Sequence, residues 1–276
     1  MDDLDLRPRL PGTLPQLFGD GAAGRVLGTP LPPGDVVWPD PGYPQRRIQT
    51  GPAFWVSEEP VSGELWARLR AEHPRSGLWP LLLDDSDQPW AAGQVAPEPV
   101  EEIGNYAPIA FMSEVWSEWA EQATAEEAEE LAPFGLECPG PAPRGAATED
   151  PGLVADRHAR LLEGRGLSLG LVAVERGADA IAAVGWQGAL NHNEWTAPLA
   201  AVVRSWEDRF AARVVGLGFN TLELSVAAPP VTARHALQVA AEHWAFCPDI
   251  LFQGPGDLAG YADEIRGRTS WSFWWD

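Results

Sequence analysis

Two residue periods alternate from about residue 166 onward, and nothing else in this sequence constrains the fold as strongly. "LGLVAVE" (169–175) and "NTLELSVA" (220–227) have the apolar content and flanking breaks of strands. "PLAAVVRSWEDRFAARVVGLG" (198–218) puts Val202, Val203, Trp206 and Phe210 on one face of a long helix, with Gly218 past its end. "ADAIAAVGW" reads as a short helix closed by Gly185, "TARHALQVAAEHWAFC" as a helix capped by Thr232 and stopped by Pro248, and "GDLAGYADEIRG" as another. There is no internal repeat. This mixture predicts an α/β class, mixed α+β, with a sheet flanked by amphipathic helices.

The closing "TSWSFWWD" (269–276) follows the same logic. Alternation places Trp271, Phe273 and Trp275 on one face and Ser272 and Trp274 on the other, the pattern of a core strand. The chain has fourteen tryptophans, and Trp66, Trp116, Trp119 and Trp206 also fall on apolar helix stripes. Trp90, Trp186 and Trp195 lie beside turns and are the ones to inspect for exposure.

Upstream the signals are sparser. Residues 1–50 are rich in Pro and Gly and predict an extended arm with little regular structure. In 51–134, "AFWVS" reads as a strand, Ser62 caps a helix carrying Leu65, Trp66 and Leu69, and Gly77 ends it before "LWPLLL". That is a parallel, right-handed strand-helix-strand unit, with Pro80 expected near an edge or bulge. "SEVWSEWAEQATAEEAEEL" (113–131) follows as an amphipathic helix with Val115, Trp116, Trp119, Ala120 and Ala123 inward. Residues 135–165 read as a linker and 166–276 as a C-terminal domain.

Charge excludes several functions. The formal net charge is −21, which argues against nucleic acid and anionic membranes, because both are bound mainly by clustered basic residues. A charged partner would be basic. Ser76 to Pro143 contains no basic residue, so its acidic run is either a solvated face or a docking site for such a partner. All nineteen basic residues are arginine, which rules out Schiff-base, P-loop and kinase-type lysines. No apolar run reaches the roughly 18–20 residues of a membrane span, and "MDDLDLRPRL" is acidic where a secretory signal would be basic and then apolar. Two dissimilar cysteines, Cys138 and Cys247, make no disulfide framework, so a cytoplasmic location is expected.

Several motif matches lack the required context. "GDGAAG" (19–24) spells the dinucleotide fingerprint but has neither a preceding strand nor a following helix. "GLSLG" (166–170) spells a nucleophile elbow but precedes a strand. Asp84, Asp85 and Asp87 read as a polar turn, lacking the glycine and distal glutamate of a calcium loop. The densest group is "EHWAFCPDILFQ". His243 and Cys247, four apart on one helix, could share a metal or form a thiol-imidazole pair, with Asp249 and Gln253 just beyond and His235 two turns back. Against that, a helix C-terminus raises a thiol's pKa, and two ligands do not make a zinc site, so a structural role is favoured and no metal or cofactor is expected. Asn191, His192 and Asn193, with Trp195, form a polar loop that could contact a ligand.

The C-terminal segment "VVRSWEDRFAARVVGLGFNTLELSVAAPPVTARHALQVAAEHWAFCPDILFQ", followed by "YADEI" and "WSFWWD", resembles the bacterial family catalogued as domain of unknown function 4253, from about Leu167 to Asp276. "FWVSEEPVSGELWARLR" and "SGLWPLLL" look like the N-terminal half of actinobacterial members. The resemblance implies a shared fold and shared positions at Trp206, His243, Cys247, Pro248, Asp249, Gln253, Trp274, Trp275 and Asp276, but no reaction or cofactor. The leading expectation is a non-enzymatic interaction or regulatory module, of immunity or antitoxin type for example, acting on a basic protein. The alternatives are an enzyme or metal-binding protein centred on His243, Cys247 and Asp249, and a small-molecule or glycan binder using loop tryptophans.

Overall fold

The computed structural model describes residues 10–42, 51–84, 90, 93–252 and 254–276. Among these the strands β1 (Gly34–Val37), β2 (Phe54–Pro60), β3 (Leu78–Leu83), β4 (Ser168–Ala173), β5 (Ala212–Leu217), β6 (Thr221–Val226) and β7 (Ser270–Trp274) form one sheet in the order β1-β2-β4-β3-β5-β6-β7. Only the β3–β5 pairing is parallel. The helices are α1 (Gly63–Ser76), α2 (Pro108–Ala120), α3 (Ala125–Glu130), α4 (Pro151–Leu161), α5 (Ala180–Ala183), α6 (Thr196–Phe210), α7 (Ala233–Phe246), α8 (Asp249–Phe252) and α9 (Leu258–Ile265). The α+β class and the flanked sheet are as the sequence predicts.

Local signals explain the well-predicted elements. Ser62 accepts from the Leu65 amide to start α1, and Gly77 ends it at φ 70°, where a side chain would be strained. Thr232 and Asp257 cap α7 and α9 in the same way. The units β2 and β3 run parallel, but they are not neighbours. Strand β4 lies between them, antiparallel to both. The segment that begins at β4 is therefore built into the upstream sheet. Strand β3 is buried on both faces, hence its unbroken "LWPLLL".

Four features differ from the sequence reading. Pro80 sits in a central strand, tolerated there because the β3–β5 ladder begins only at Leu82, two residues later. The long helix ends at Phe210 rather than near Gly218. Ala211 turns left-handed at φ 50°, and Val214, Val215 and their neighbours become β5. The acidic helix breaks into α2 and α3, with a capping box between Thr124 and Glu127 restarting it. Finally, the expected arm contributes β1, and the expected linker carries α4, capped by Asp150 and packed on α1, β5 and β6.

Strand alternation sorts the helices onto two faces. Leu222, Leu224, Trp271 and Phe273 point toward α6 and α7, where Trp206 stacks on Phe273 at 5.3 Å and meets Trp271 edge-on at 5.6 Å. Glu223 and Ser225 point the other way, toward α4. Trp271, Phe273 and Trp275 are buried, so β7 closes the core.

Candidate functional site

Helix α7 carries His243, and its C-terminal cap is Cys247. Both are fully buried. The imidazole is ringed by Trp206, Trp271 and Phe273, with centroids 5.0, 4.3 and 4.9 Å away. Its Nδ1 shares a 2.9 Å hydrogen bond with the Tyr261 hydroxyl, and among the described residues its Nε2 has no hydrogen-bond partner. Burial, reinforced by the Arg209 charge, holds the imidazole pKa well below its usual value, so the ring stays neutral. The Cys247 thiol donates to the Trp274 carbonyl at 3.0 Å, and burial pushes its pKa up to about 12. A protonated, enclosed thiol is a poor nucleophile. His235 lies about 12 Å back along the helix axis. Its Nε2 donates to the Pro143 carbonyl at 2.8 Å. Among the described residues no group of three or more His, Cys, Asp and Glu side chains could hold a metal ion.

Asp249 belongs to a different, partly solvated cluster. Its Oδ2 lies 2.9 Å from His192 Nε2 and accepts the Asp276 amide at 3.0 Å. Asn191 donates to the Asp276 carbonyl at 3.2 Å. The 191–193 loop and the residue after the "AFCP" turn, far apart in sequence, thus meet at one point. Asn193 plays a local part, its Oδ1 accepting the Trp195 amide at 2.9 Å just before α6. Trp195 is 42% exposed, whereas Trp90 and Trp186 are buried. Gln253 lies outside the described residues, as do Asp85 and Asp87. Among the described residues no hydroxyl or thiol is hydrogen-bonded to His192 in the position of a triad's nucleophile.

The other motif matches take ordinary places. Residues 19–24 form turns, and Ser168 is buried within β4.

Two buried polar clusters escaped the sequence reading. Arg209 grips Glu242 through two 2.6 Å hydrogen bonds, and Glu242 also accepts from Trp206 Nε1 at 2.7 Å and from the Ala142 amide at 2.6 Å. This network fastens the 139–145 segment to α6 and α7. On the opposite face, Glu223 meets Arg165 at 2.9 Å and His158 at 3.5 Å. The one available signal was a charged residue inside an otherwise apolar stripe.

The helices α2 and α3 present an acidic surface. Glu114, Glu118, Glu121, Glu126 and Glu129 are exposed, and among the described residues none has an arginine partner. Beside them Tyr106, Ile109 and Leu136 expose apolar surface.

No curated protein and no solved structure matches the chain. A sequence-family profile does, and it begins at the first residue of β4: the family described as Domain of unknown function (DUF4253) matches residues 168–276.

Proposed function

We propose that this protein is a non-enzymatic interaction module whose α2–α3 face docks a basic partner, as an immunity- or antitoxin-type protein would. The observation that carries this reading is the row of exposed glutamates without arginine partners, bordered by Tyr106, Ile109 and Leu136. Unpaired like charges repel one another, and a cationic surface relieves that repulsion while apolar neighbours supply burial. The enclosure of His243 and Cys247 supports the non-enzymatic part. Replacing Glu118, Glu121, Glu126 and Glu129 together with arginine tests the reading. Proteins captured from a lysate by the native chain in low salt should be released at high salt and missed by the variant. Identical capture by both proteins overturns it.

A further inference from the structure

A cleft of about 790 Å³ opens on the side of the sheet where β4 ends and β3 begins. That volume lies within the range of small-molecule sites. Its walls come from distant parts of the chain. Arg25 comes from the N-terminal coil, His73 from α1, Glu101 from the turn before α2, Glu175 and Arg176 from the loop after β4, and Arg204 from α6. In a chain with a net charge of −21, this cleft is locally balanced, its three arginines lying with Glu101, Glu175 and Asp179.

The guanidinium groups at the cleft are only partly paired. Arg204 commits Nε to the buried Asp179 at 2.5 Å, and among the described residues no partner occupies its two Nη groups. Arg176 gives Nε to Glu207 and Nη2 to Asp208 and the Arg204 carbonyl, leaving Nη1 without a partner among the described residues. The Arg25 guanidinium lies 4.2 Å above the Phe18 ring and 3.9 Å from the Asp20 carboxylate, and among the described residues its buried Nε has no partner. The innermost acids are thus consumed by internal pairs while donor edges remain. Glu101 and Glu175 are exposed, and among the described residues neither carboxylate has a partner.

We infer that this cleft binds a small polar metabolite with an oxyanion head, a carboxylate or a phosphate, and a donor-bearing remainder. The head docks on Arg25 and the open Nη groups of Arg204 and Arg176, because a planar guanidinium matches oxyanion geometry and is held here in a partly dehydrated setting. An amine or hydroxyl on the remainder is directed to Glu101 and Glu175. The site lies outside the α2–α3 face and does not depend on the docking proposal.

Calorimetric titration of the full chain with L-glutamate, glucose 6-phosphate, inorganic phosphate and glucose tests the assignment. One of the first two should bind, telling carboxylate from phosphate, with inorganic phosphate weaker and glucose silent. Arg25→Leu should weaken that binding roughly ten- to a hundredfold, the effect of losing one charge-assisted contact. Glu101→Gln, at an exposed position, should weaken the donor-bearing probe severalfold without changing inorganic phosphate, and it keeps the test open if Arg25→Leu does not fold. Absence of binding by both oxyanion probes at millimolar concentration, or equal affinity in the native and both variant proteins, overturns the inference.

Discussion

The two faces of the antiparallel β6–β7 pair show how one pair of strands serves two environments. On one face Leu222, Leu224, Trp271 and Phe273 meet Trp206, His243 and Phe246 in a dry aromatic layer. On the other, Glu223 and Ser225 lie under α4, satisfied in part by Arg165 and His158. Area favours the first face, because burying large apolar surface stabilises more than a partly solvated ion pair does. The polar face instead fixes where α4 sits. The residues singled out by sequence divide the same way: His243 and Cys247 belong to the dry layer, whereas Asp249 leaves it for the solvated corner shared with His192 and Asp276.

If the aromatic face dominates, removing its outermost strand should be the most damaging change. Deletion of residues 271–276 takes away Trp271, Phe273 and Trp275 together and should abolish cooperative thermal unfolding. Trp271→Ala alone should cost about 3–5 kcal/mol, read as a lower denaturation midpoint. An unchanged melting temperature after the deletion would show that the aromatic face does not carry the stability of the fold.

Next in size is the charged bracket between the aromatic layer and the 139–145 segment. Arg209→Leu strands Glu242 in a site that is nearly fully buried, and should cost about 3–5 kcal/mol. The double change Arg209→Leu with Glu242→Leu should recover much of that loss, since an apolar pair leaves no uncompensated charge. A double variant as unstable as the single one would show that the network's hydrogen bonds to Ala142 and Trp206 matter more than its charge balance.

Much of this architecture was legible, for physical reasons that also mark the limit. Helices α1 and α7 announce themselves by side-chain caps at Ser62 and Thr232 and by a single apolar stripe. β7 does so by strict alternation. The α6–β5 boundary was hidden because Ala211 makes the left-handed turn without a glycine, and "ARVVGL" is apolar enough to continue either period. β1 and α4 lie in Pro- and Gly-rich sequence, and their order comes from packing on β2 and α1. The site was harder still. Glu98 accepts from the Thr196 amide at 2.6 Å, capping α6 from 98 positions away, and the His192–Asp249 contact is equally non-local. The donor edges of Arg25, Arg176 and Arg204 become a group only once β4 is inserted between β2 and β3.

The smallest effect separates the two faces by pH. His243 is depressed by burial and by Arg209, so the unfolded chain binds its proton more readily than the fold does. Stability from that residue is complete above the unfolded value near 6.5, and falls as pH drops below it. The slope approaches about 1.4 kcal/mol per pH unit at most. Burial alone would raise Glu223, but hydrogen bonds and charge from His158 and Arg165 outweigh it and leave this carboxyl below its usual 4.5. Its contribution is therefore present above about 4.5 and is lost only in more acidic solution. It should be the lesser one, because Arg165 is 43% exposed and its attraction is screened. Denaturation midpoints followed from pH 8 to about 3.5 should show two declines. His243→Phe should flatten the upper decline while leaving the lower, and Glu223→Gln should do the reverse. Loss of the upper decline in Glu223→Gln would mean that the two faces titrate as one unit, and that the division drawn by the alternation of β6 does not extend to its electrostatics.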